Sequence, residues 1–143
     1  MKEAIEELSF FGGKVFLLFL VLFLALTAHI KEAIQIILAF ILIYAIVIPI
    51  RALKFKPRPN PMQWSNFLEK FCANSLISIH TARATVIATI LSTYFSSVAI
   101  GAFFYIMVLL VALSRYALGK HKIEDLIFGF LLGLGVSALV LSL

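Results

Sequence analysis

The stretch Ser114–Asp125, SRYALGKHKIED, separates two apolar runs that are each about long enough to cross a membrane. A junction of this kind needs only a few polar residues, yet this one combines Arg115, His121 and Asp125. On a helix, His121 and Asp125 would share a face, where the carboxylate holds one ring nitrogen and leaves the other free as a base or nucleophile. The fork of Arg115 suits phosphate oxygens. The stretch predicts a phosphate-handling site or, as the alternative, a basic loop that only fixes topology.

The composition is that of a membrane protein. The chain has 143 residues, of which 63% are hydrophobic, and its mean hydropathy is +1.11. Soluble domains are about 45–50% apolar, so we predict an all-α integral membrane protein with residues 1–143 forming one domain. The lone Cys72 excludes an internal disulfide. The net charge of +5 lies mostly in loops, which favours membrane lipids, and not nucleic acid, as partners.

The lengths of the apolar runs on either side of this junction predict about five transmembrane helices. The amphipathic segment Met1 to Lys14 predicts an N-terminal interfacial helix. Pro49 should kink or end the second span. Gly129 and Gly133 have the small-residue spacing that allows helices to pack closely, while the oligomeric state stays open. The predicted spans are Val15 to about Ile30, Ala33 to about Ile50, Ser78 to about Phe95, Val98 to about Leu113, and Leu126 to Leu143.

Counting the crossings places three distant polar clusters at one membrane surface. The first is Arg51–Pro61, RALKFKPRPNP, whose prolines exclude a regular helix. The second is the polar start of the third span, Ser78-Ile79-His80-Thr81-Ala82-Arg83, where Ser78 is a plausible N-cap of a phosphate-binding helix N-terminus. The third is the opening stretch. Their convergence predicts a functional site.

The distribution of positive charge predicts the orientation of this site. Of the twelve Lys and Arg residues, only Lys31 falls on the opposite face. The positive-inside rule then predicts a site on the cytoplasmic face of the cell membrane.

The three clusters also carry a family pattern, because the chain resembles the type 2 phosphatidic acid phosphatase superfamily. The third family motif is complete, as Ser114-Arg115, five residues, His121, three residues and Asp125. The second motif, Pro-Ser-Gly-His, is present as Ile77-Ser78-Ile79-His80. The first, Lys, six residues and Arg-Pro, is present as Arg51, six residues and Arg58-Pro59. The resemblance covers nearly the whole chain from the first span.

This resemblance implies a helical bundle of the lipid-phosphatase and haloperoxidase type, with no metal and no cofactor. It implies that His121 is a nucleophile that forms a phosphohistidine, that Asp125 orients it, and that His80 is the general acid. The implied phosphate-binding groups are Arg51, Arg58, Arg115, Ser78 and the backbone N–H of Ile79. The implied substrate is a lipid phosphate: a polyprenyl phosphate or diphosphate, a phosphatidate-like lipid or a glycerophosphate-linked lipid.

Three positions depart from the family pattern. Arg51 replaces Lys and keeps the charge with a different shape. Ile77 replaces Pro, and Ile79 replaces a Gly that lets backbone approach phosphate closely. These departures leave open an alternative, a lipid-phosphate-binding or transport protein on the same fold that does not catalyse.

Overall fold

The structure is a computed structural model that describes residues 9–143, and this part of the chain forms six α-helices. They are α1 (Lys14–Leu26), α2 (Ile30–Leu53), α3 (Phe67–Ala73), α4 (Ile79–Phe95), α5 (Val98–Ala117) and α6 (Ile123–Leu141). The β-pairing found in residues 9–143 is one isolated bridge between Pro57 and Asn74. The prediction of an all-α membrane protein is confirmed.

Membrane-spanning character is uneven among the five predicted spans. Within residues 9–143, α2, α5 and α6 are long and apolar enough to cross a bilayer. Helix α1 has 13 residues and α4 has 17, or about 20 and 26 Å at 1.5 Å per residue, against a hydrocarbon core of about 30 Å. Helix α2 continues through Pro49 to Leu53, beyond the predicted end near Ile50, so Arg51 lies in its last turn.

Helix α4 is the centre of the bundle. It packs against α2, α5 and α6, and its residues from Thr81 to Leu91 are buried apart from the half-buried Thr89. The buried hydroxyls bond to the preceding turn, as Thr85 Oγ1 does to the Thr81 carbonyl at 2.8 Å. The outer helices instead expose large apolar side chains such as Leu18, 70% exposed, which suits contact with lipid.

Two glycines of α6 bring this helix against α4. A Cβ at Gly129 would lie 2.5 Å from the Ser78 carbonyl oxygen, and one at Gly133 would lie 2.6 Å from the Ala82 carbonyl oxygen. Any side chain here would push the helices apart, as the spacing of the two glycines predicts. The close approach places the start of α6 beside the start of α4.

Only the C-terminal part of the predicted interfacial helix, Met1 to Lys14, falls within the described residues. Residues 1–8 lie outside the described part, and Ser9–Gly12 forms a 3-10 turn that packs on α4 and α5. Phe11 is buried against Phe16 and Phe104, and a Cβ at Gly12 would lie 2.5 Å from the His80 carbonyl oxygen. This turn is therefore part of the packed bundle, because burial of Phe11 against two rings removes more apolar surface from water than a surface position would.

Candidate active site

The predicted polar clusters meet at one cavity of about 320 Å³. Residues that the sequence singled out form much of its wall, namely Arg51, Arg58, Ile79, His80, Arg115 and His121. Further lining comes from Lys14, Tyr44, Leu68, Phe71, Cys72 and Arg83. The cavity is strongly cationic, which suits an anionic ligand. The structure therefore confirms that the clusters converge.

His121 lies in the turn between α5 and α6 and is 2% exposed. Its Nδ1 is 2.9 Å from the Ser75 carbonyl oxygen. A carbonyl only accepts, so Nδ1 carries the proton and Nε2 keeps its lone pair. Burial, together with the positive charge of Arg115 and the other arginines, lowers the pKa of His121 to about 3, against the raising effect of the Ser75 bond. The ring is therefore neutral at neutral pH, as a nucleophile must be.

Asp125 occupies a different place from the one its spacing predicts. Helix α6 begins at Ile123, so His121 precedes the helix and the two side chains do not share a helical face. The Asp125 carboxylate accepts from the Lys122 backbone N–H at 2.9 Å and from Lys56 Nζ at 2.6 Å. The hydrogen bond that orients His121 comes instead from Ser75. The physical reason is that Asp125 serves the first turn of α6, where free N–H groups attract a carboxylate.

Lys56 joins the proline-rich loop to the start of α6. Its ammonium contacts both Glu124 and Asp125, and the Asp125 side chain is 1% exposed. Partial burial opposes the charge of Lys56, but hydrogen bonds to Asp125 and Glu124 outweigh it and raise the pKa of Lys56. This pair gives the buried Asp125 carboxylate its counter-ion.

Backbone carbonyls orient two of the predicted phosphate-binding arginines. Arg51 Nη1 donates to the Phe71 carbonyl at 3.1 Å and Nη2 to the Ile77 carbonyl at 2.6 Å, with the guanidinium over the Phe71 ring. Arg58 donates to the Cys72 carbonyl. The Nε of each of these two arginines is buried without a hydrogen-bond partner. The carbonyls hold these charges at the cavity without neutralising them.

Some of the other predicted site residues line the cavity, and the rest lie behind it and join the helices that form its wall. His80 and Ile79 line the cavity from the first turn of α4, and Arg115 lines it from the last turn of α5. Ser78 is fully buried as the N-cap of α4, with its Oγ accepting from Thr81, and its N–H donates to the Asp125 carbonyl at 2.9 Å. Ser78 and Asp125 are thus not among the lining residues; they join the helix starts behind the cavity.

The backbone at Ile77 departs from the family pattern as its side chain does. Its φ is +103°, a conformation that a β-branched residue rarely adopts. Proline, with φ near −65°, cannot adopt it at all. The strained backbone directs the Ile77 carbonyl to Arg51, so the local chain path and the arginine are coupled.

Sequence reasoning missed the groups that hold the site together. Asn74 and Ser75 are fully buried and bind the loop around Lys56, but neither belongs to a motif. Tyr44 and Lys14 line the cavity from α2 and α1 with no signal in their apolar surroundings. Arg83 had a signal, because it is a charge three residues after His80 in a membrane segment.

The chemistry available to this cavity is that of a cationic anion site. Among the described residues, there is no group of three or more His, Cys, Asp or Glu side chains that could hold a metal ion. A neutral imidazole with a free Nε2 beside several guanidiniums and a helix N-terminus fits attack on a phosphorus atom whose oxygens the cations hold.

Two of three comparisons with known proteins find a match for this chain. No curated protein matches the sequence at a significant level. The structure is similar to the crystal structure of LpxE from Aquifex aeolicus, with a TM-score of 0.82 and 23% identity, over 99% of this chain and 86% of that one. This likeness shows a shared fold. A family model described as the PAP2 superfamily matches residues 48–143, which contain all three motifs. The chain belongs to the PAP2 superfamily.

Proposed function

We propose that this protein is a membrane phosphatase that hydrolyses a lipid phosphate or diphosphate through a phosphohistidine at His121. The observation that carries the proposal is the His121 ring. Its Nδ1 is held by the Ser75 carbonyl, which leaves Nε2 as the nucleophile, and the ring stands in a cavity that Arg51, Arg58 and Arg115 also line. Membership of the PAP2 superfamily supports the same chemistry.

The reaction takes two steps. The lone pair of His121 Nε2 attacks phosphorus, an N–P bond forms, and the bond to the leaving oxygen breaks with its electron pair on that oxygen. His80, on the same cavity wall, gives the leaving oxygen a proton. Water then attacks the phosphorus atom of the phosphohistidine while His80 takes up a proton from that water. The N–P bond breaks, inorganic phosphate is released, and His121 returns to its neutral form. Arg51, Arg58 and Arg115 hold the phosphate oxygens throughout.

Phosphate release from detergent-purified protein with a chelator present tests this proposal. Phosphatidate, phosphatidylglycerophosphate and a polyprenyl diphosphate are the substrates. Release that persists in chelator and is lost in His121→Ala is the expected result. His29→Ala is the matched control, because His29 lies at the opposite end of α2, where it contacts Tyr94. Equal turnover by His121→Ala and wild type would refute the role of His121.

A non-catalytic lipid-phosphate-binding protein is the second candidate. The strained Ile77, the branched Ile79 at the helix start and the two carbonyls already bound by Arg51 favour it. Absence of release from all three lipids, with retained binding of a lipid phosphate, would select it. Ile79→Gly is then the variant to assay, since it restores the family residue.

We also propose that the cavity faces the cytoplasm of the cell membrane. Cys72 is exposed and lines the cavity, and the chain has one cysteine, so it is a native topology probe. A membrane-impermeant maleimide should label Cys72 in inside-out vesicles and not in intact cells. The reverse pattern would place the site on the outer face.

A further inference from the structure

A buried arginine outside the three motifs shares the cavity. Arg83 is 2% exposed, its Nη1 donates to the Tyr44 hydroxyl at 3.3 Å, and its guanidinium lies 5.9 Å from the centre of the Phe40 ring. Its Nε is buried without a hydrogen-bond partner. Within residues 9–143, no ion pair joins Arg83 to a carboxylate, so no carboxylate of this part of the chain neutralises it.

This arrangement is costly unless a ligand completes it. A guanidinium taken out of water without a counter-ion is strongly unfavourable, and charges inside membrane proteins mark binding sites by default. An apolar side chain of similar length would fill the space beside Phe40 and Tyr44 at lower cost. The charge of Arg83 therefore indicates an anion that is bound during function.

Two cavities meet at Arg83. The catalytic cavity holds His121, and a second cavity of about 570 Å³ runs between α1 and α2. Lys14, Tyr44 and Arg83 line both. The remaining wall of the second cavity is apolar, formed by Leu17, Ile37, Phe40 and Ile41. Ile37 and Ile41 are exposed on the outer surface of α2, so this groove opens toward the bilayer.

A lipid with its phosphate at His121 and its chain in this groove must pass between Lys14, Tyr44 and Arg83. Arg83 follows His80 by three residues on α4, which corresponds to about 4.5 Å along the helix axis. The group that lies against Arg83 is therefore the one next to the scissile phosphate, on the chain side.

We propose that Arg83, with Lys14 and Tyr44, forms a second anion subsite that holds a phosphate on the leaving-group side of the bond that is cleaved. The inference rests on the proposed function and deepens it, since it names the substrate class: a lipid whose leaving group is itself anionic. A lipid diphosphate and a lipid with a phosphodiester beside its terminal phosphate both supply that chemistry.

The subsite assists the first step of the reaction. When His121 Nε2 attacks the terminal phosphorus of a diphosphate, the bond to the bridging oxygen breaks and its electron pair becomes negative charge on the departing lipid monophosphate. The positive charges of Arg83 and Lys14 stabilise that negative charge, so the leaving group needs less protonation by His80. Groups that stabilise charge developing in the transition state contribute to turnover, not to binding alone.

A chain-matched pair of substrates tests the subsite. Phosphate release from farnesyl diphosphate and from farnesyl monophosphate is compared in the full-length protein, its Arg83→Met and Arg83→Lys variants, and Lys31→Met as a charge-removal control on the opposite face. In Arg83→Met, kcat/KM should fall about a hundredfold for the diphosphate and less than about tenfold for the monophosphate. Arg83→Lys should recover part of the loss, and Lys31→Met should match wild type for both.

A binding measurement removes the dependence on turnover. Farnesyl methylenediphosphonate should raise the unfolding temperature of His121→Ala, and adding Arg83→Met should abolish most of that shift. Without ligand, Arg83→Met should unfold at the same or a higher temperature, which separates a ligand-binding role from a structural one.

The outcomes are distinguishable. Equal losses for the two farnesyl substrates, with phosphatidylglycerophosphate impaired no more than farnesyl monophosphate, would overturn the subsite while leaving a phosphatase intact. Lack of release from any substrate by wild type would refute the proposed function, and the diphosphonate shift would still decide the subsite. If Arg83→Met selectively impairs phosphatidylglycerophosphate and not farnesyl diphosphate, the second anion is a phosphodiester.

Discussion

Two segments shape the cationic cavity of this protein, and they are opposite in kind. The turn before α6 supplies the proposed nucleophile, His121, within a motif of fixed spacing. Segment 71–77 supplies backbone carbonyls, which accept from Arg51, Arg58 and His121. The turn thus provides a side chain suited to nucleophilic attack, and segment 71–77 orients that side chain and the two arginines. The turn can be recognised from the spacing of its motif residues. Segment 71–77 cannot, because it acts through backbone carbonyls, which every residue has.

Asn74 gives segment 71–77 its rigidity. Its amide donates to the carbonyls of Arg51 and Lys54 and accepts from the backbone N–H groups of Lys56 and Leu76. Ser75 adds bonds to the carbonyls of Lys56 and Pro57. A single buried amide therefore ties together the end of α2, the proline-rich loop and the segment whose Ser75 carbonyl accepts from His121.

Removing the reactive group should have the largest effect. His121→Ala should lower phosphate release by about a thousandfold or more, because the covalent step is lost, while the unfolding temperature changes little at pH 7.5. His80→Ala should cost less, about a hundredfold with a phosphomonoester, and less again with a diphosphate, whose leaving group needs less acid help. A His80→Ala variant as inactive as His121→Ala on both substrates would contradict this division of roles.

Removing the orienting amide should come next. Asn74→Ala leaves two backbone N–H groups and two carbonyls without this partner, and we expect a loss of about 2–4 kcal/mol in the free energy of unfolding. Turnover should also fall at saturating substrate, since Ser75 no longer holds the His121 ring. Denaturant unfolding and kcat measure the two effects.

The control for this variant is Asn66→Ala. Asn66 is exposed and caps α3 by accepting from Glu69 N–H, so its loss should cost about 1 kcal/mol and leave kcat unchanged. If Asn74→Ala keeps full kcat despite its lower stability, segment 71–77 is structural only and the contrast with the turn fails.

Breaking the link between the proline-rich loop and α6 should have a smaller effect. Lys56→Met leaves the buried Asp125 carboxylate with the Lys122 N–H, and we expect a loss of about 1–3 kcal/mol in stability. Lys54→Met, at an exposed lysine two residues earlier, should cost under about 0.5 kcal/mol. Asp125→Asn combined with Lys56→Met should recover part of the loss; a fully additive double variant would show that the two residues do not interact.

The smallest expected effect is a pH dependence of stability. The folded-state pKa of His121 is near 3, below its unfolded value near 6.5. Between these two pH values the His121 ring is therefore protonated in the unfolded chain and neutral in the folded chain. Stability contributed by His121 is therefore intact above about pH 6.5 and is lost as pH falls toward 3, by at most about 1.4 kcal/mol per pH unit. His121→Asn should show a shallower slope between pH 6.5 and 5.5. Identical slopes would place the ring in a more hydrated setting.

The departures from expectation have a common physical cause. Asp125 was expected to orient His121 through helical spacing, but α6 starts at Ile123, and the carboxylate instead serves the first turn of that helix. Pro49 was expected to kink or end α2, and of these options the helix does not end there, since packing of the buried Val47 and Arg51 carries it to Leu53. In each case tertiary contacts decided between options that local sequence left open.

The sequence by itself determined the class of the protein, the convergence of its three polar clusters and several of the residues that line the cavity. Apolar run length, crossing parity and motif spacing are properties of the chain, and they need no knowledge of packing. Only the tertiary structure decided that Ser75 holds His121, that Lys56 pairs with Asp125, and that Arg83 joins the cavity to a lipid-facing groove. Those facts depend on backbone carbonyls and on contacts between residues far apart in the chain, for which no local pattern exists.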